Sequence, residues 1–341
     1  MNKRIIALTL ALLMLIPLTA CSGKGDENFK PEDFEFAIKT AGVGQYFENG
    51  YTFVDLDDGT VMITEGDISG DISIPSELSG KKVSAIGDGA FFGNTAITSI
   101  VIPDTVESIG VYAFSDCTAL ASVTFGSKVW RIAPFAFDNT PYFSSLTDEF
   151  VTVGDGVLIA YNGTSRTPVI PDNVRHLGGA FAGNSNIYTL TLGRGVLTIS
   201  DMALSFCTNL SEIDFGLSLV YIGDQAFSGS ENITALVFPD TLRYIGMQAC
   251  LNCYALKYVY LGKSITDLGD NAFEYCQALR VVYVPKSITS IKTSEFTDCM
   301  SLSLLLYEGT EAEFDAVAVN DIILSFKNVN KVFNYTGGAN E

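Results

Sequence analysis

Histidine and basic residues are scarce in this sequence. Its 341 residues include one histidine and 20 Lys and Arg, against 39 Asp and Glu. A catalytic triad that uses an imidazole would have to use His176, and no nucleophile-elbow motif accompanies it. We therefore expect no catalytic residue, and we place His176 on the surface, near the start of a repeated unit.

Motifs for cofactors and metals are also missing. The sequence contains no Walker A loop, no dinucleotide-binding fingerprint and no HExxH helix. Cys250 and Cys253 form a single CxxC pair, whereas a zinc site of this type needs two such pairs. We therefore expect neither a cofactor nor a metal site.

The shortage of basic residues gives the chain a net charge of −19 at pH 7. A charge of this sign argues against nucleic acid as a partner and against charge-driven binding to anionic membranes. The many carboxylates leave open a paired-carboxylate glycosidase, because spacing in a sequence does not test that possibility.

The sequence does contain a 23-residue unit that recurs in register. It reads IGVYAFSDCTALASVTFGSKVWR at 109–131 and IGDQAFSGSENITALVFPDTLRY at 222–244. One unit has too little apolar surface to be stable alone, so the units are expected to stack as a solenoid. Nine units, here called coils 1 to 9, begin at Ile86, Ile109, Ile132, Leu177, Ile199, Ile222, Ile245, Leu268 and Ile291.

Within each unit, the apolar positions predict one strand and one buried aromatic spine. Positions fifteen and seventeen are apolar, as in Val123 and Phe125, which is the alternation of a short strand. The Ala- and Phe-rich segment before them predicts a helical turn or a short helix. Coil 4 is one residue short and is aligned from its Phe. Position six holds Phe91, Phe114, Phe137, Phe181, Leu204, Phe227, Cys250, Phe273 and Phe296.

This pattern resembles the BspA-type leucine-rich repeat family, whose units read IGxxAFxxCxxLxxVxIPxxVxx. The resemblance covers roughly residues 51–337 and implies an α/β fold. In particular, it implies a right-handed leucine-rich-repeat solenoid, a β-rich horseshoe with short helices and about nine 23-residue repeats. It also implies a recognition protein at the cell surface rather than an enzyme.

The first 20 residues predict export and lipid anchoring. Lys3 and Arg4 precede an apolar run, Ile5 to Ile16, as in a signal peptide. Leu18-Thr19-Ala20-Cys21 resembles a lipobox, in which Cys21 becomes the lipidated N-terminus; the alternative is ordinary secretion with an unrelated cysteine. We therefore assign 1–20 to a lipoprotein signal peptide and 21–50 to a tether or linker, with the mature chain anchored at the extracellular face of a bacterial membrane.

The remaining segments predict two caps and one insertion. Residues 51–85 are assigned to an N-terminal β cap and 86–306 to the repeat array. The insertion at 147–176 contains a predicted hairpin of strands 150–153 and 157–161, joined at Asp155-Gly156. Residues 307–341 form the predicted C-terminal cap and tail, with a capping box at Thr310 and Glu313 before a short helix.

Position nine carries most of the cysteines. Neighbouring coils about 4.8 Å apart would permit disulfides such as Cys253–Cys276 or Cys276–Cys299 outside the cytoplasm. However, the same position holds Asn94, Thr140, Asn184 and Ser230 elsewhere, so we favour buried thiols that hydrogen-bond beside a turn. The five cysteines at this position are Cys117, Cys207, Cys253, Cys276 and Cys299.

A possible binding patch lies on the outward positions of coils 7 and 8. Tyrosine and arginine are enriched at binding hot spots, and Tyr260 and Tyr283 should stack because they share a register position. The alternative is an aromatic ladder that only stiffens the sheet. The predicted patch comprises Lys257, Tyr258, Tyr260, Arg280 and Tyr283.

Together these features predict a lipid-anchored surface protein that binds an extracellular protein or glycan. The expected partners are that molecule and, through the lipid anchor, the membrane; nucleic acid is not expected. The alternative is an enzyme or a carbohydrate-processing accessory protein with a site in the insertion or the caps.

Overall fold

The computed structural model describes residues 39–318 and 329–336. The predicted signal peptide (1–20), Cys21 and the first part of the predicted tether lie outside these residues. The described chain is mostly β, with few helices, and winds into a solenoid, as the sequence predicted. The solenoid has about 11 turns, which is roughly consistent with the predicted nine repeats. In this part of the chain, no helix has the length and apolar character of a membrane span.

The coils contribute short strands to two separate parallel ladders, except that coil 3, where the insertion begins, has no strand in the first ladder. The first ladder lies at positions fourteen to sixteen, where the sequence predicted a strand. The second ladder joins the last position of one coil to position one of the next, and the sequence analysis missed it. Coils pair in register on both, with Leu190 opposite Ile213 on the first ladder and Ile199 opposite Ile222 on the second.

The first ladder is built in three pieces. They are β4 (Gly70–Ser73), β7 (Ile97–Val101) and β9 (Ser122–Thr124); β14 (Thr189–Thr191) and β16 (Glu212–Asp214); and β18 (Ala235–Val237), β20 (Tyr258–Tyr260), β22 (Val281–Val284), β23 (Leu304–Tyr307) and β24 (Asn330–Val332).

The second ladder is built in two pieces, which meet at the insertion. The first piece runs from β1 (Ala41–Glu48) through β2 (Tyr51–Leu56), β3 (Val61–Gly66), β6 (Lys81–Ile86) and β8 (Ser108–Ile109) to β10 (Arg131–Ile132), with β5 (Glu77–Leu78) beside β6. The second comprises β11 (Phe150–Val153), β12 (Val157–Tyr161), β13 (His176–Leu177), β15 (Thr198–Ile199), β17 (Tyr221–Ile222), β19 (Tyr244–Ile245) and β21 (Asp267–Leu268).

The N-terminal cap begins earlier than predicted. Strand β1 lies inside the segment 21–50 that was assigned to a tether, and it pairs antiparallel with β2. The tether assignment is wrong for this part, because the sequence of β1 lacks a regular apolar alternation and its order depends on pairing with β2. Lys39 adds ion pairs to Asp58 at 3.1 Å and Glu107 at 2.9 Å. Strand β4 pairs with β7 and so belongs to the array as well as to the cap.

The insertion forms the predicted hairpin with the predicted strand bounds. Strands β11 and β12 pair antiparallel, with Val153 opposite Val157 across the Asp155-Gly156 turn. Strand β12 then pairs parallel with β13, so the hairpin enters the second ladder between coils 3 and 4. Helix α1 (Pro141–Ser144) precedes it, and Thr140 Oγ1 accepts a hydrogen bond from Phe143 N–H at its start.

The C-terminal cap also follows the prediction. Helix α2 (Glu311–Val317) begins with the predicted capping box, in which Thr310 accepts from Glu313 N–H and the Glu313 carboxylate accepts from Thr310 N–H. Strand β24 then extends the first ladder beside β23.

The position-six side chains form the core spine that the sequence predicted. All nine are buried, and none is more than 2% exposed. The rings of Phe91, Phe114 and Phe137 stack almost parallel, with centroids 4.9 and 5.3 Å apart. Phe273 and Phe296 stack in the same way at 5.5 Å.

The segment around this spine is turn rather than helix in most coils. Short 3-10 helices occur only at Gly179–Phe181 and Thr293–Phe296 within the described repeats. Elsewhere, positions four and eight adopt left-handed backbone, as at Gln225 with φ 53° and Asn252 with φ 61°, which breaks any helix. The prediction of a helical turn therefore holds in two coils only.

The position-nine cysteines are buried free thiols, as favoured from the sequence. Each donates to the position-six carbonyl of the preceding coil, for example Cys253 Sγ to Phe227 O at 3.3 Å and Cys276 Sγ to Cys250 O at 3.2 Å. Ser230 Oγ makes the same bond to Leu204 O at 2.7 Å. A small hydrogen-bond donor at position nine thus links each of these coils to the coil before it.

Candidate binding surfaces

The predicted patch on the first ladder is only partly accessible. Tyr260 and Tyr283 lie opposite each other, and their rings stack at 4.4 Å and 10°, as predicted. However, Tyr283 is only 1% exposed, which corrects its assignment as an accessible contact. Lys257 and Arg280 are exposed, and Tyr258 is half-buried.

Tyr283 is buried because the end of the array covers it. It packs in a small outer core with Leu304 and Leu306 of β23, and the ring of Tyr335 meets its edge at 5.9 Å. Burial therefore raises the pKa of the Tyr283 hydroxyl. The burial of Tyr283 favours the alternative interpretation, in which the Tyr260–Tyr283 pair is a structural ladder. The side chains of the predicted patch that remain accessible are those of Lys257, Tyr258, Tyr260 and Arg280.

The second ladder carries a larger aromatic cluster. Trp130 meets Tyr221 edge-on at 6.0 Å, and Tyr221 stacks on Tyr244 at 5.5 Å and 15°. The guanidinium of Arg131 lies 5.8 Å from the Trp130 ring and 3.5 Å from the Asp201 carboxylate. Side chains from coils 2, 5 and 6 thus meet on one face.

His176 lies beneath this cluster, so its predicted surface position is wrong. Its side chain is fully buried, with Nδ1 2.9 Å from Thr198 Oγ1 and Nε2 3.3 Å from Asp155 Oδ2. Trp130 packs against its ring at 5.9 Å. Burial lowers the pKa of His176, although Asp155 opposes the shift. Nothing in the sequence indicated this burial, because Trp130 lies more than forty residues away along the chain.

The Thr198–His176–Asp155 row has the connectivity of a hydrolase triad but not its access. Thr198 and His176 are both 0% exposed. A nucleophilic hydroxyl must reach a substrate carbonyl, and here aromatic side chains occupy that space. The row therefore serves to fix the second ladder at the hairpin.

Beyond Tyr244 the second ladder opens into a groove. Tyr221, Tyr244 and Asp267 lie side by side at the same register position of the second ladder. Because the side chain of Asp267 is smaller than that of tyrosine, it leaves a depression beside the Tyr244 ring. The resulting cavity has a volume of about 660 Å³. Its lining combines one aromatic ring with charges of both signs: Asp224, Arg243, Tyr244, Met247, Thr266, Asp267, Leu268, Gly269, Asp270 and Lys292.

Carboxylates dominate the electrostatics of this groove. Burial, together with the charges of Asp224, Asp201, Asp267 and Asp270, raises the pKa of Tyr244 to about 12. Burial, together with Asp201, also raises the pKa of Asp224. Lys292 pairs with Asp270 at 2.7 Å. The groove therefore favours a neutral or cationic ligand.

The sequence contains a signal for this groove. Trp130, Tyr221 and Tyr244 occupy the last two positions of their units, where Ser108 and Thr198 are small. Large aromatic side chains at a strand-forming register position point to a second patterned face. Within the described residues, no group of three or more His, Cys, Asp or Glu is placed to hold a metal ion.

Comparison with known proteins identifies the repeat. The profile described as BspA type Leucine rich repeat region matches residues 84–178 and 176–303, with six copies. No curated protein matches the chain.

Several solved structures of bacterial proteins are similar to this chain over most of its length. A leucine-rich cell-surface protein from Faecalibacterium prausnitzii A2-165 is 21% identical, with 83% of this chain and 99% of that one covered and a TM-score of 0.33. The pneumococcal vaccine antigen PcpA is 15% identical, with coverage of 86% and 98% and a TM-score of 0.38. A leucine-rich repeat protein from Eubacterium ventriosum is 16% identical, with coverage of 87% and 85% and a TM-score of 0.36.

Proposed function

Because this chain belongs to the family of BspA-type leucine-rich repeat proteins, we propose that it is a lipid-anchored recognition protein of the bacterial cell surface. Proteins of this family are typically found at that surface. The signal-peptide pattern and the lipobox-like Leu18-Thr19-Ala20-Cys21 support the anchor. In this proposal, the solenoid presents its side faces to an extracellular protein or glycan.

The observation that carries the binding role is the second-ladder groove. An aromatic ring beside convergent carboxylates and cations is the chemistry of a binding site, because the ring supplies contact area and the charges fix orientation. Tyr244 supplies the ring, Asp224 and Asp267 supply acceptors, and Arg243 supplies donors. The exposed Lys257 and Arg280 of the first ladder form a second, flatter surface.

The alternative of an enzyme or a carbohydrate-processing accessory protein gains no support from the row of Thr198, His176 and Asp155. Its hydroxyl and imidazole are sealed beneath Trp130. We therefore assign the hairpin a structural role.

Membrane fractionation tests the anchor. Cys21→Ala should move the protein from the membrane fraction to the soluble fraction, because the lipid attaches at that thiol. Cys117→Ser, which changes a buried array cysteine, should leave the protein in the membrane fraction. Cys21→Ala protein that stays with the membrane would overturn the anchor.

A binding screen tests the groove. The protein carrying Cys21→Ala would be screened against extracellular proteins and glycans, and any ligand would be titrated against variants. Tyr244→Ala should weaken binding by about tenfold or more, as expected of a hot spot. Tyr254→Ala is the matched control, since Tyr254 is 41% exposed and lies outside the groove. A loss with Arg280→Ala but not with Tyr244→Ala would move the site to the first ladder.

A further inference from the structure

The turns that carry the spine are themselves linked by a regular hydrogen-bond ladder. N–H groups at positions six and eight donate to carbonyls at positions five and seven of the next coil. Phe114 N–H donates to Ala136 O at 2.7 Å, and Asp116 N–H donates to Asp138 O at 2.9 Å. The same bonds recur in later coils, as from Phe227 to Ala249 at 2.7 Å. The carbonyls of each turn therefore accept the hydrogen bonds of the N–H groups in the turn before it.

This ladder stops at the hairpin, between coils 3 and 4. Among the described residues, no acceptor is found for the N–H groups of Phe137 and Asn139, at positions six and eight of coil 3. Likewise, no donor reaches the carbonyls of Ala180 and Ala182 in coil 4. One coil thus presents spare donors and the next presents spare acceptors, because β12 enters the second ladder without adding a turn of its own.

A cavity of about 210 Å³ lies between these two turns. The coils are in contact at Pro134 and Gly179, and they diverge from there. The aromatic spine is interrupted as well, since Phe137 meets Tyr142 at 5.6 Å and Phe181 meets Tyr161 at 5.0 Å. Most of the residues that line it are apolar, although they also present polar atoms to the cavity: Ile132, Ala133, Phe135, Ala136, Phe137, Asp138, Phe143, Ile159, Ala160, Tyr161, Asn162, Gly179, Ala180 and Ala182.

An exposed aromatic strip leads up to this cavity. Phe135, which lines it, stacks on Tyr112 at 5.3 Å and 14°, and Tyr112 meets Phe92 edge-on at 6.5 Å. Phe92 is 57% and Tyr112 is 46% exposed. Tyr112 and Phe135 hold left-handed backbone, with φ 55° and 61°, which costs free energy for a bulky residue. Other coils place Gly89 or Asn271 there, so the fold itself does not require a ring.

We propose that the cavity and the strip form a docking site for an extended peptide segment of a partner protein. One aromatic or large aliphatic side chain of the segment enters the cavity. Its backbone carbonyls accept from Phe137 and Asn139, and its N–H groups donate to Ala180 and Ala182. Residues flanking the anchor lie on Tyr112 and Phe92. The segment thereby supplies the missing rung of the turn ladder, as in other cases of strand addition.

The size of the cavity fits this assignment. An apolar protein cavity of about 150 Å³ accepts benzene, so about 210 Å³ admits a phenyl ring with part of its backbone. Paired rows of donors and acceptors favour a peptide over a sugar or a lipid, because a peptide offers both groups along one backbone. The site is separate from the second-ladder groove, and neither depends on the other.

The test is a titration of the full chain with N-acetyl-phenylalanine N-methylamide, followed by NMR of the ¹⁵N-labelled Phe and Asn amides. The Phe137 and Asn139 amide signals should shift and saturate, whereas N-acetyl-alanine N-methylamide should give no saturable shift. Ala182→Leu should weaken the binding of the phenylalanine probe at least tenfold, because the leucine side chain fills the cavity. Coil 7 has Leu251 at this position, so the array accepts a leucine there.

Two further measurements separate this site from the groove and test the strip. Tyr244→Ala should leave the probe affinity unchanged. An acetylated Ala-Ala-Phe-Ala-Ala amide should bind several-fold more tightly than the single residue, and Tyr112→Asn should remove that gain. The proposal is overturned if the shifts never saturate, survive Ala182→Leu, or appear equally with the alanine probe.

Discussion

The two blocks on either side of the hairpin are built from the same repeated unit, but different residues form their core spines. The N-terminal block, coils 1 to 3 with its cap, has a core within residues 51–160, and the C-terminal block, coils 4 to 9, has a core within 158–329. In the first block the spine is an unbroken stack of three Phe rings. In the second, Leu204 and Cys250 interrupt the Phe residues, yet the same hydrogen bonds join the turns.

This difference shows that the backbone network, not a particular side chain, defines the coil. Position nine is Asn94, Cys117 or Thr140 in the N-terminal block and mainly Cys in the C-terminal block. Asn94 Nδ2 donates to Ile68 O of the cap at 2.8 Å, and Cys117 Sγ donates to Phe91 O of the preceding coil at 3.1 Å. The array tolerates such exchanges wherever size and hydrogen-bond capacity are kept. Four predictions test how far that tolerance extends.

The largest effect is expected from truncating the spine. Phe114→Ala and Phe227→Ala should each cost about 3–5 kcal/mol of unfolding free energy, because both rings are fully buried. Phe114 stacks on two rings, whereas Phe227 has Leu204 and Cys250 as its spine neighbours. The loss at Phe114 should therefore be larger by about 0.5–1.5 kcal/mol. Urea unfolding would measure both, and equal losses would show that ring stacking adds nothing to burial.

The next effect concerns the thiol row. Cys253→Val removes one of the two donors to Phe227 O, since Ser230 N–H also donates to it, and places a larger, branched side chain in a packed site. The variant should therefore cost about 1–3 kcal/mol. Cys253→Ser keeps a donor, as Ser230 does in coil 6, and should cost clearly less. Thermal unfolding of the two variants compares them directly. If valine were tolerated better than serine, packing rather than the hydrogen bond would set this position.

A smaller effect should depend on pH. Coils 1 to 8 have Ala at position five, whereas coil 9 has Glu295, which is 1% exposed. The pKa of Glu295 is raised from 4.5 to about 8, mainly by burial. The hydrogen bond from Lys292 N–H and the positive charge of Lys292 lower the pKa, whereas the charges of Asp270 and Asp267 raise it. The folded state holds this proton more tightly, so its stabilising contribution is complete below pH 4.5 and is lost as the pH rises to about 8.

Glu295→Gln should remove that dependence. At pH 8.5 the variant should be more stable than the parent by about 1–2 kcal/mol, whereas below pH 4.5 the two should be similar. Thermal unfolding measured across this pH range checks both the sign and the window. A parent protein that gains stability relative to the variant as the pH rises would contradict the assignment.

The smallest effect concerns backbone strain. Gln225→Gly should stabilise the chain by about 0.5 kcal/mol, since glycine adopts φ 53° without penalty. In the N-terminal block, Tyr112→Gly should gain less, because it loses the rings of Phe92 and Phe135. Differential scanning calorimetry would rank the two. A larger gain at Tyr112 would mean that the strip contributes nothing to the stability of the fold.

The repeat, the hairpin and the C-terminal capping box could all be predicted, because each depends on short-range patterns. Asp155-Gly156 specifies its turn, and Thr310 reaches Glu313 within one helical turn. The candidate surfaces were predicted less well. The stacking of Tyr260 on Tyr283 followed from register, but the burial of Tyr283 depends on Tyr335, more than fifty residues away. The environment of His176 likewise depends on Trp130, which reaches across the hairpin.

The sequence by itself determined the coil: its length, its buried spine, its position-nine donor and its membership of the family. These follow because a residue and its equivalent one unit later meet in the stack, so periodicity encodes contact. Only the tertiary structure decided which outward side chains stay accessible. It buried Tyr283 and His176, opened the groove beside Tyr244, and left donors and acceptors unpaired between coils 3 and 4. Those outcomes arise where the period is broken, because contacts there join residues that no repeat relates.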